Sequence, residues 1–184
     1  EITDRVEVPI GCSGSNEMYP GGYNYNGRPW CRNHVWNGQA YDPQLKRMIL
    51  GSATNPKIDP YFYIYNPDKS DWDGRKRFPA DLNNNGYAIQ LRYTKHGMFA
   101  WSGDTAWLLD AKTSAWKKIS QQGKLVGTGV DGCGMGYDSK RDRMLLFTLG
   151  GYAKPYNGNV CVQDFAANSA TLLTPEAPAV TRWD

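Results

Sequence analysis

Apolar residues along this chain come in short runs, and polar clusters rich in Asp, Asn, Ser, Gly and Pro separate them. Met48-Ile49-Leu50, Phe62-Tyr63-Ile64-Tyr65, Met98-Phe99-Ala100-Trp101, Ala106-Trp107-Leu108-Leu109, Met144-Leu145-Leu146-Phe147 and Val160-Cys161-Val162 stand out. Aromatic and branched side chains fit a pleated, half-buried surface, and turn-forming residues bound the runs, so each reads as a strand. No long stretch places apolar residues at helical spacing. Runs such as Met144–Phe147 fall far short of the about 20 residues a membrane helix needs. The pattern predicts an all-β chain. Asn-Gly pairs at 26–27, 37–38, 85–86 and 157–158 add turn or hairpin signals.

The runs recur in a fixed order. Tyr41-Asp42-Pro43-Gln44-Leu45-Lys46-Arg47-Met48-Ile49-Leu50 aligns with Tyr137-Asp138-Ser139-Lys140-Arg141-Asp142-Arg143-Met144-Leu145-Leu146. Each reads as a strand end, a polar turn and a second, apolar strand. A degenerate middle copy spans Leu91–Trp101, where a shorter turn, Thr94 to Gly97, replaces the Asp-Pro type. A second pair follows each copy. It starts at Phe62, Ala106 and Val160, and in the first two copies it leads through a turn to Trp72 and Trp116. Tyr65 to Trp72 and Leu109 to Trp116 are both seven residues, which indicates one hairpin type reused. Tyr41 to Tyr93 is 52 residues and Tyr93 to Tyr137 is 44. Four-stranded units of about 40–50 residues are the signature of propeller blades, with the first strand of each lining a central channel. The competing reading is a β-sandwich with coincidental turns.

Composition agrees with strands and turns: 12 Tyr and 7 Trp favour sheets, and 20 Gly with 11 Pro supply punctuation. A length of 184 residues fits one domain or slightly more, at about 100–200 residues each. The net charge of +3 is too slight to imply a nucleic-acid partner. The chain opens on Glu1-Ile2-Thr3-Asp4, without a basic-then-apolar leader.

Tyr-Asp-Pro followed by Arg-Met-Ile-Leu, then Tyr-Asn-Pro followed by Trp, resembles the kelch repeat in its bacterial Tyr-Asp-Pro-x-x-Asp-Arg form. The galactose-oxidase central domain is a related propeller. The resemblance covers about residues 30–175, and its weight lies in the threefold repetition. Three departures stand out. The double glycine that often ends the second kelch strand occurs only at Gly150-Gly151, Thr171 stands where an outer Trp is expected, and the middle copy lacks the Tyr-Asp turn. The expected architecture is an all-β β-propeller arc of four-stranded kelch-like blades at about 31–78, 79–123 and 124–178. Residues 1–30 are expected to hold the end of a preceding blade, with alternating Val6-Glu7-Val8, plus an aromatic and Gly-rich loop. Residues 179–184 would start a following blade. Propellers usually close with about 4–8 blades, so the chain reads as an arc of a larger ring. Exposed blade faces at its ends would then be covered by a protein partner or an additional chain that completes the ring.

Within the loop, Tyr19, Tyr23, Tyr25 and Trp30 are suited to stack on sugar rings or on a partner chain. The plainer reading is a loop that covers a blade edge. The turns Asn55–Pro60 and Tyr152–Gly158 are further candidate contact regions. Cys12 and Cys31 flank the loop and are the preferred disulfide pair. Cys133 and Cys161 read as small buried apolar residues. Arg32 and His34 precede the first inner strand. Kelch-like inner strands often carry such a pair, so the resemblance implies a structural role for them, and they join the candidate binding set.

Catalytic readings find little support. With two histidines, His34 and His96, and no Cys-x-x-Cys pair, a zinc site is not expected, and a galactose-oxidase-like copper site would need further ligands from missing blades. Neither histidine has an identifiable Ser or Cys partner for a hydrolytic triad. Asp68–Gly74 fails the EF-hand pattern, because aligning Gly74 at the invariant glycine puts Lys69 and Ala80 where Asp and Glu are required. Asp73 and Asp81 remain as calcium ligands of another geometry. Arg75-Lys76-Arg77 reads as a solvated loop. No cofactor is expected. The expected role is non-enzymatic: a scaffold for protein–protein interaction or assembly. The alternatives are an extracellular carbohydrate-binding propeller and a fragment of a secreted galactose-oxidase-like enzyme. A disulfide and the resemblance both point to an extracellular or periplasmic location.

Overall fold

The computed structural model describes residues 24–25, 28–29, 38–51, 61–79, 89–102, 105–119, 122–123, 134–147 and 160–173. Among them every regular element is a strand. Near the start of the chain β1 (Asn24–Tyr25) pairs antiparallel with β2 (Arg28–Pro29), around Asn26-Gly27 in sequence.

Three four-stranded antiparallel sheets follow. Sheet 1 holds β3 (Gln39–Asp42), β4 (Arg47–Leu50), β5 (Tyr61–Asn66) and β6 (Asp71–Arg77). Sheet 2 holds β7 (Gln90–Thr94), β8 (Gly97–Ser102), β9 (Thr105–Leu109) and β10 (Trp116–Lys118). Sheet 3 holds β11 (Gly134–Asp138), β12 (Arg143–Phe147), β13 (Val160–Asp164) and β14 (Ser169–Leu173). In each sheet the spatial order of strands follows the chain. A sandwich would have divided the strands between two facing sheets. Three sheets in a row, each a local meander, are the blade arrangement that the repeats predict.

The first strands lead the stacking, since β7 lies alongside both β3 and β11. The sheets therefore meet along their innermost strands. A side-chain link spans one such junction: Arg92 Nη2 on β7 donates to the Met135 carbonyl on β11 at 3.1 Å. At the outer side, Gln122 pairs in parallel with β14. Its N–H donates to the Asn168 carbonyl at 2.9 Å, and its carbonyl accepts from the Ala170 N–H at 2.8 Å. The chain leaving sheet 2 thus caps part of sheet 3's outer edge, where unpaired backbone would otherwise invite other strands.

Two apolar clusters hold the row together. Ile49 and Phe62 of sheet 1, with Phe78 just after it, pack against Leu91, Met98 and Leu109 of sheet 2. Phe99, Trp101 and Ala106 of sheet 2 pack against Met135, Met144, Leu146 and Cys161 of sheet 3. β8 contributes alternate residues to the two clusters, so all six of its positions are buried. A strand covered on both faces needs no polar alternation, which explains the uninterrupted Met98-Phe99-Ala100-Trp101 run. Trp116 of β10 stands edge-on to Phe62 at 5.6 Å and lies 5.5 Å from Phe78. Sheet 3 differs from the sequence expectation. The residue paired like Trp72 and Trp116 is Ala170, opposite Gln163, rather than Thr171. The shift arises because the turn is anchored by Asp164, one residue before the Phe165 at which the strand seemed to end. Phe165 packs instead against His96, Phe99 and Tyr137.

Candidate functional site

Of the six turns that link the first strand to the second and the third to the fourth in the three sheets, five share one design. Each opens with Asp or Asn: Asp42, Asn66, Asp110, Asp138 and Asp164. The side-chain Oδ1 accepts from backbone N–H groups two or three residues on, at 2.8–3.1 Å. The residue four positions on takes the left-handed conformation: Lys46, Ser70, Ser114, Asp142 and Asn168, with φ between 49° and 55°. The Asx hydrogen bonds satisfy turn donors, and the left-handed residue returns the chain to the next strand. The sixth turn is Thr94–Gly97, where Thr94 Oγ1 donates to the Gly97 carbonyl at 2.9 Å and accepts from the His96 N–H at 3.1 Å. Strand directions alternate, so all six turns lie at the same end of the row.

Carboxylates at this end tie turns together. In sheet 1 a bulge between β5 and β6 leaves Asp73 unpaired between Trp72 and Gly74. Its oxygens accept from Arg47 Nε at 2.6 Å, Lys69 Nζ at 2.9 Å and Asn66 Nδ2 at 3.1 Å. The hydrogen bond from Lys69, then those from Asn66 and Arg47, hold this carboxyl well below the usual range. Asp73 is thus engaged by cations and an amide, not arranged as a calcium ligand; Asp81 lies outside the described residues. Asp138 accepts from the Arg141 N–H and from the Arg141 and Arg143 guanidinium groups, which also lower it.

Asp142 is the one that crosses between sheets. Its oxygens lie 2.9 and 3.0 Å from His96 Nε2 and 3.0 Å from Lys95 Nζ, both in the sheet 2 turn, and the Tyr137 hydroxyl donates to it at 2.8 Å. The His96 ring rests on Phe165 at 4.7 Å. Burial works against ionisation of Asp142, but bonds from Tyr137, Lys95 and His96 outweigh it and bring the carboxyl down to about 2. Burial and then the bond to Asp142 push the Tyr137 phenol up. Among the described residues these contacts tie the sheet 2 turn to sheet 3. Among the described residues no group of His, Cys, Asp and Glu is placed to hold a metal.

Among the described residues the exposed large apolar side chains are Tyr41 and Met48 of sheet 1 and Phe147, Leu172 and Leu173 of sheet 3, while Tyr63, on the same face as Met48, is fully buried. Directly paired residues share a sheet face. In sheet 1, Tyr41, Met48, Tyr65 and Trp72 form one cross-strand line. The matching line in sheet 2 is Tyr93, Met98, Leu109 and Trp116, which packs on sheet 1. In sheet 3 it is Tyr137, Met144, Gln163 and Ala170, which faces sheet 2. Met98 and Met144 are fully buried, whereas Tyr41 is 48% and Met48 36% exposed. At the opposite end, Phe147 pairs with Val160 and Val160 with Leu173. Phe147 stands where sheet 2 has the buried Trp101, yet it is 37% exposed, and Leu173 is 49% exposed.

Of the residues singled out by sequence, Tyr25 lies in β1, where its backbone pairs with Arg28. Tyr19, Tyr23, Trp30, Arg32, His34, Cys12 and Cys31, and the turns 55–60 and 152–158, lie outside the described residues. Cys161 is buried in β13 against sheet 2, as a small apolar residue would be. Sequence reasoning missed the His96–Asp142 tie. The signal was the repeat itself, since one repeat length separates turns that sit side by side. It missed the end faces residue by residue as well, although the recurring Tyr and Met marked them. Among the described residues no helix is long and apolar enough to cross a membrane. No protein-family model and no curated protein sequence matches this chain.

Proposed function

We propose that this chain is a non-enzymatic module of the kelch-like propeller type, a scaffold that works by protein–protein contact through its two end faces. One observation carries this reading: the methionine position that is fully buried in Met98 and Met144 is 36% exposed in Met48, and Phe147 is 37% exposed where sheet 2 has the buried Trp101. A single exposed Leu needs no explanation, but two exposed apolar side chains on one cross-strand line call for one. The ionic groups at the turn end support the same reading, since they bond to one another and brace the sheets.

Methionine oxidation tests it. Met48 is exposed and Met98 and Met144 are fully buried in the same fold, so the three form an internal scale. With dilute peroxide, Met48 is expected to oxidise first in the isolated chain and to be protected in the native assembly. Equal oxidation of Met48 in both states refutes the reading.

A further inference from the structure

We infer that the outer edge of β14 is a strand-acceptor site: an extended, uncharged segment of a partner protein pairs along it, main chain to main chain, in place of the Gln122 clasp. The site is separate from the end faces and does not depend on them.

The three outermost strands are not alike. Of the seven residues of β6, Asp71, Asp73, Arg75, Lys76 and Arg77 are charged, and a bulge interrupts its pairing. β10 carries Lys117 and Lys118. Charges and bulges keep foreign strands off an open edge. β14 has no charge, no proline and no bulge, and its pairing with β13 is regular from end to end. Thr171, Leu172 and Leu173 are exposed, and because side chains alternate, the two leucines lie on opposite faces. An incoming strand with apolar or branched side chains meets a leucine on either side.

The backbone shows how such a strand is held. Ala170 sends its N–H outward to the Gln122 carbonyl. Backbone direction alternates along a strand, so the N–H and C=O of Leu172 also face away from β13. Among the described residues, no strand or bridge reaches this edge beyond Gln122. Gln122 itself is exposed and engages β14 through two backbone hydrogen bonds. Gly123 follows at φ +82°, out of the extended path, and sits so close to β14 that an added Cβ would overlap the Ala170 carbonyl oxygen. The clasp therefore covers the start of β14 and leaves the Leu172 level without a paired strand. It yields to a segment that pairs along the whole edge.

Fluorescence anisotropy with a labelled, end-blocked hexapeptide of alternating threonine and valine tests this on the whole chain. Saturable binding is expected, with slowed hydrogen exchange at the Leu172 amide. Leu172→Pro deletes the outward N–H and none of the bonds to β13, and should weaken binding at least about fivefold, the weight of one net hydrogen bond. Gly123→Ala loosens the clasp and should strengthen binding by about the same factor. Thr171→Lys gives β14 a charge of the kind that β6 and β10 carry and should weaken binding as well. Near-UV circular dichroism shows that each variant is folded. The site is overturned if the peptide binds neither the wild type nor Gly123→Ala, if it binds the folded Leu172→Pro and Thr171→Lys variants as it binds the wild type, or if it binds folded Gly123→Ala no tighter. Self-association of the wild type that Leu172→Pro abolishes gives the edge to a second copy and overturns the partner strand.

Discussion

Gly74 and Gly97 allow a backbone effect to be separated from a steric one. Their φ values are nearly the same, +120° and +117°, a region that side chains rarely adopt. A Cβ added at Gly74 meets nothing within 4 Å, whereas one at Gly97 lies 2.7 Å from the Leu109 carbonyl oxygen. That oxygen belongs to β9, which pairs on both sides with Met98 and Trp116 and cannot step aside cheaply. Gly74→Ala is expected to cost only the conformational strain, about 1–3 kcal/mol. Gly97→Ala adds an overpacking cost of about 1–3 kcal/mol, for a total of about 2–6 kcal/mol. Urea unfolding followed by tryptophan fluorescence measures both. With a slope of about 2 kcal/mol per molar, the two midpoints should differ by about 0.5–1.5 M at unchanged slope. Gly97 also ends the turn that presents Lys95 and His96 to Asp142, so the loss should spread to the junction between sheets 2 and 3. Equal midpoints for the two variants would refute the reasoning, because the Leu109 contact should add to the strain that both share.

Other substitutions follow from the same geometry. Gln163 is fully buried in the middle of sheet 3 with its Oε1 unpartnered, where sheet 2 has Leu109. Gln163→Leu is expected to be neutral or to stabilise by about 1 kcal/mol, and a lower melting temperature counts against this. Asp42 is fully buried and its Oδ1 accepts two backbone N–H groups. Asp42→Ala should cost about 1–3 kcal/mol in urea melts and Asp42→Asn, which keeps the acceptor, clearly less; equal losses would exclude the Asx role. Asp142 ionises more readily folded than unfolded, so its contribution is present above its ordinary 3.8 and is lost as pH falls through about 2. Asp142→Asn should therefore flatten part of the acid limb of stability between those values, an effect absent if the tie contributes nothing.

Much of the fold was legible in the sequence because meanders are local. The seven-residue spacings from Tyr65 to Trp72 and from Leu109 to Trp116 correspond to strand pairing in which those residues face each other. The turn chemistry was harder to read. Asn-Gly is the stronger hairpin signal, yet only Asn26-Gly27 forms a two-residue link between described paired strands; Asn157-Gly158 falls in the longer 148–159 connection of β12 to β13, and at Asn37-Gly38 the Gly38 carbonyl instead extends the β3–β4 ladder through the Gly51 N–H at 2.7 Å. The sheet turns place Lys46, Ser70, Ser114, Asp142 and Asn168 at the left-handed position, and no glycine announces it. Side-chain ties between sheets depend on how the sheets stack, so a pair such as His96 and Asp142, 46 residues apart, has no local signature.

The strict succession of neighbours within each sheet also dictates an order of events as the chain folds. Every ladder in the three sheets joins strands adjacent in sequence. Such hairpins close in about 1–10 µs without waiting for distant parts of the chain. Docking sheet on sheet must come later, because the faces to be joined exist only once each meander has zipped. Sheet 2 is then packed against a described sheet on both faces. In amide hydrogen exchange, β8 should therefore be the last strand to open. Among the three sheets, stability thus declines outward from the middle of the row.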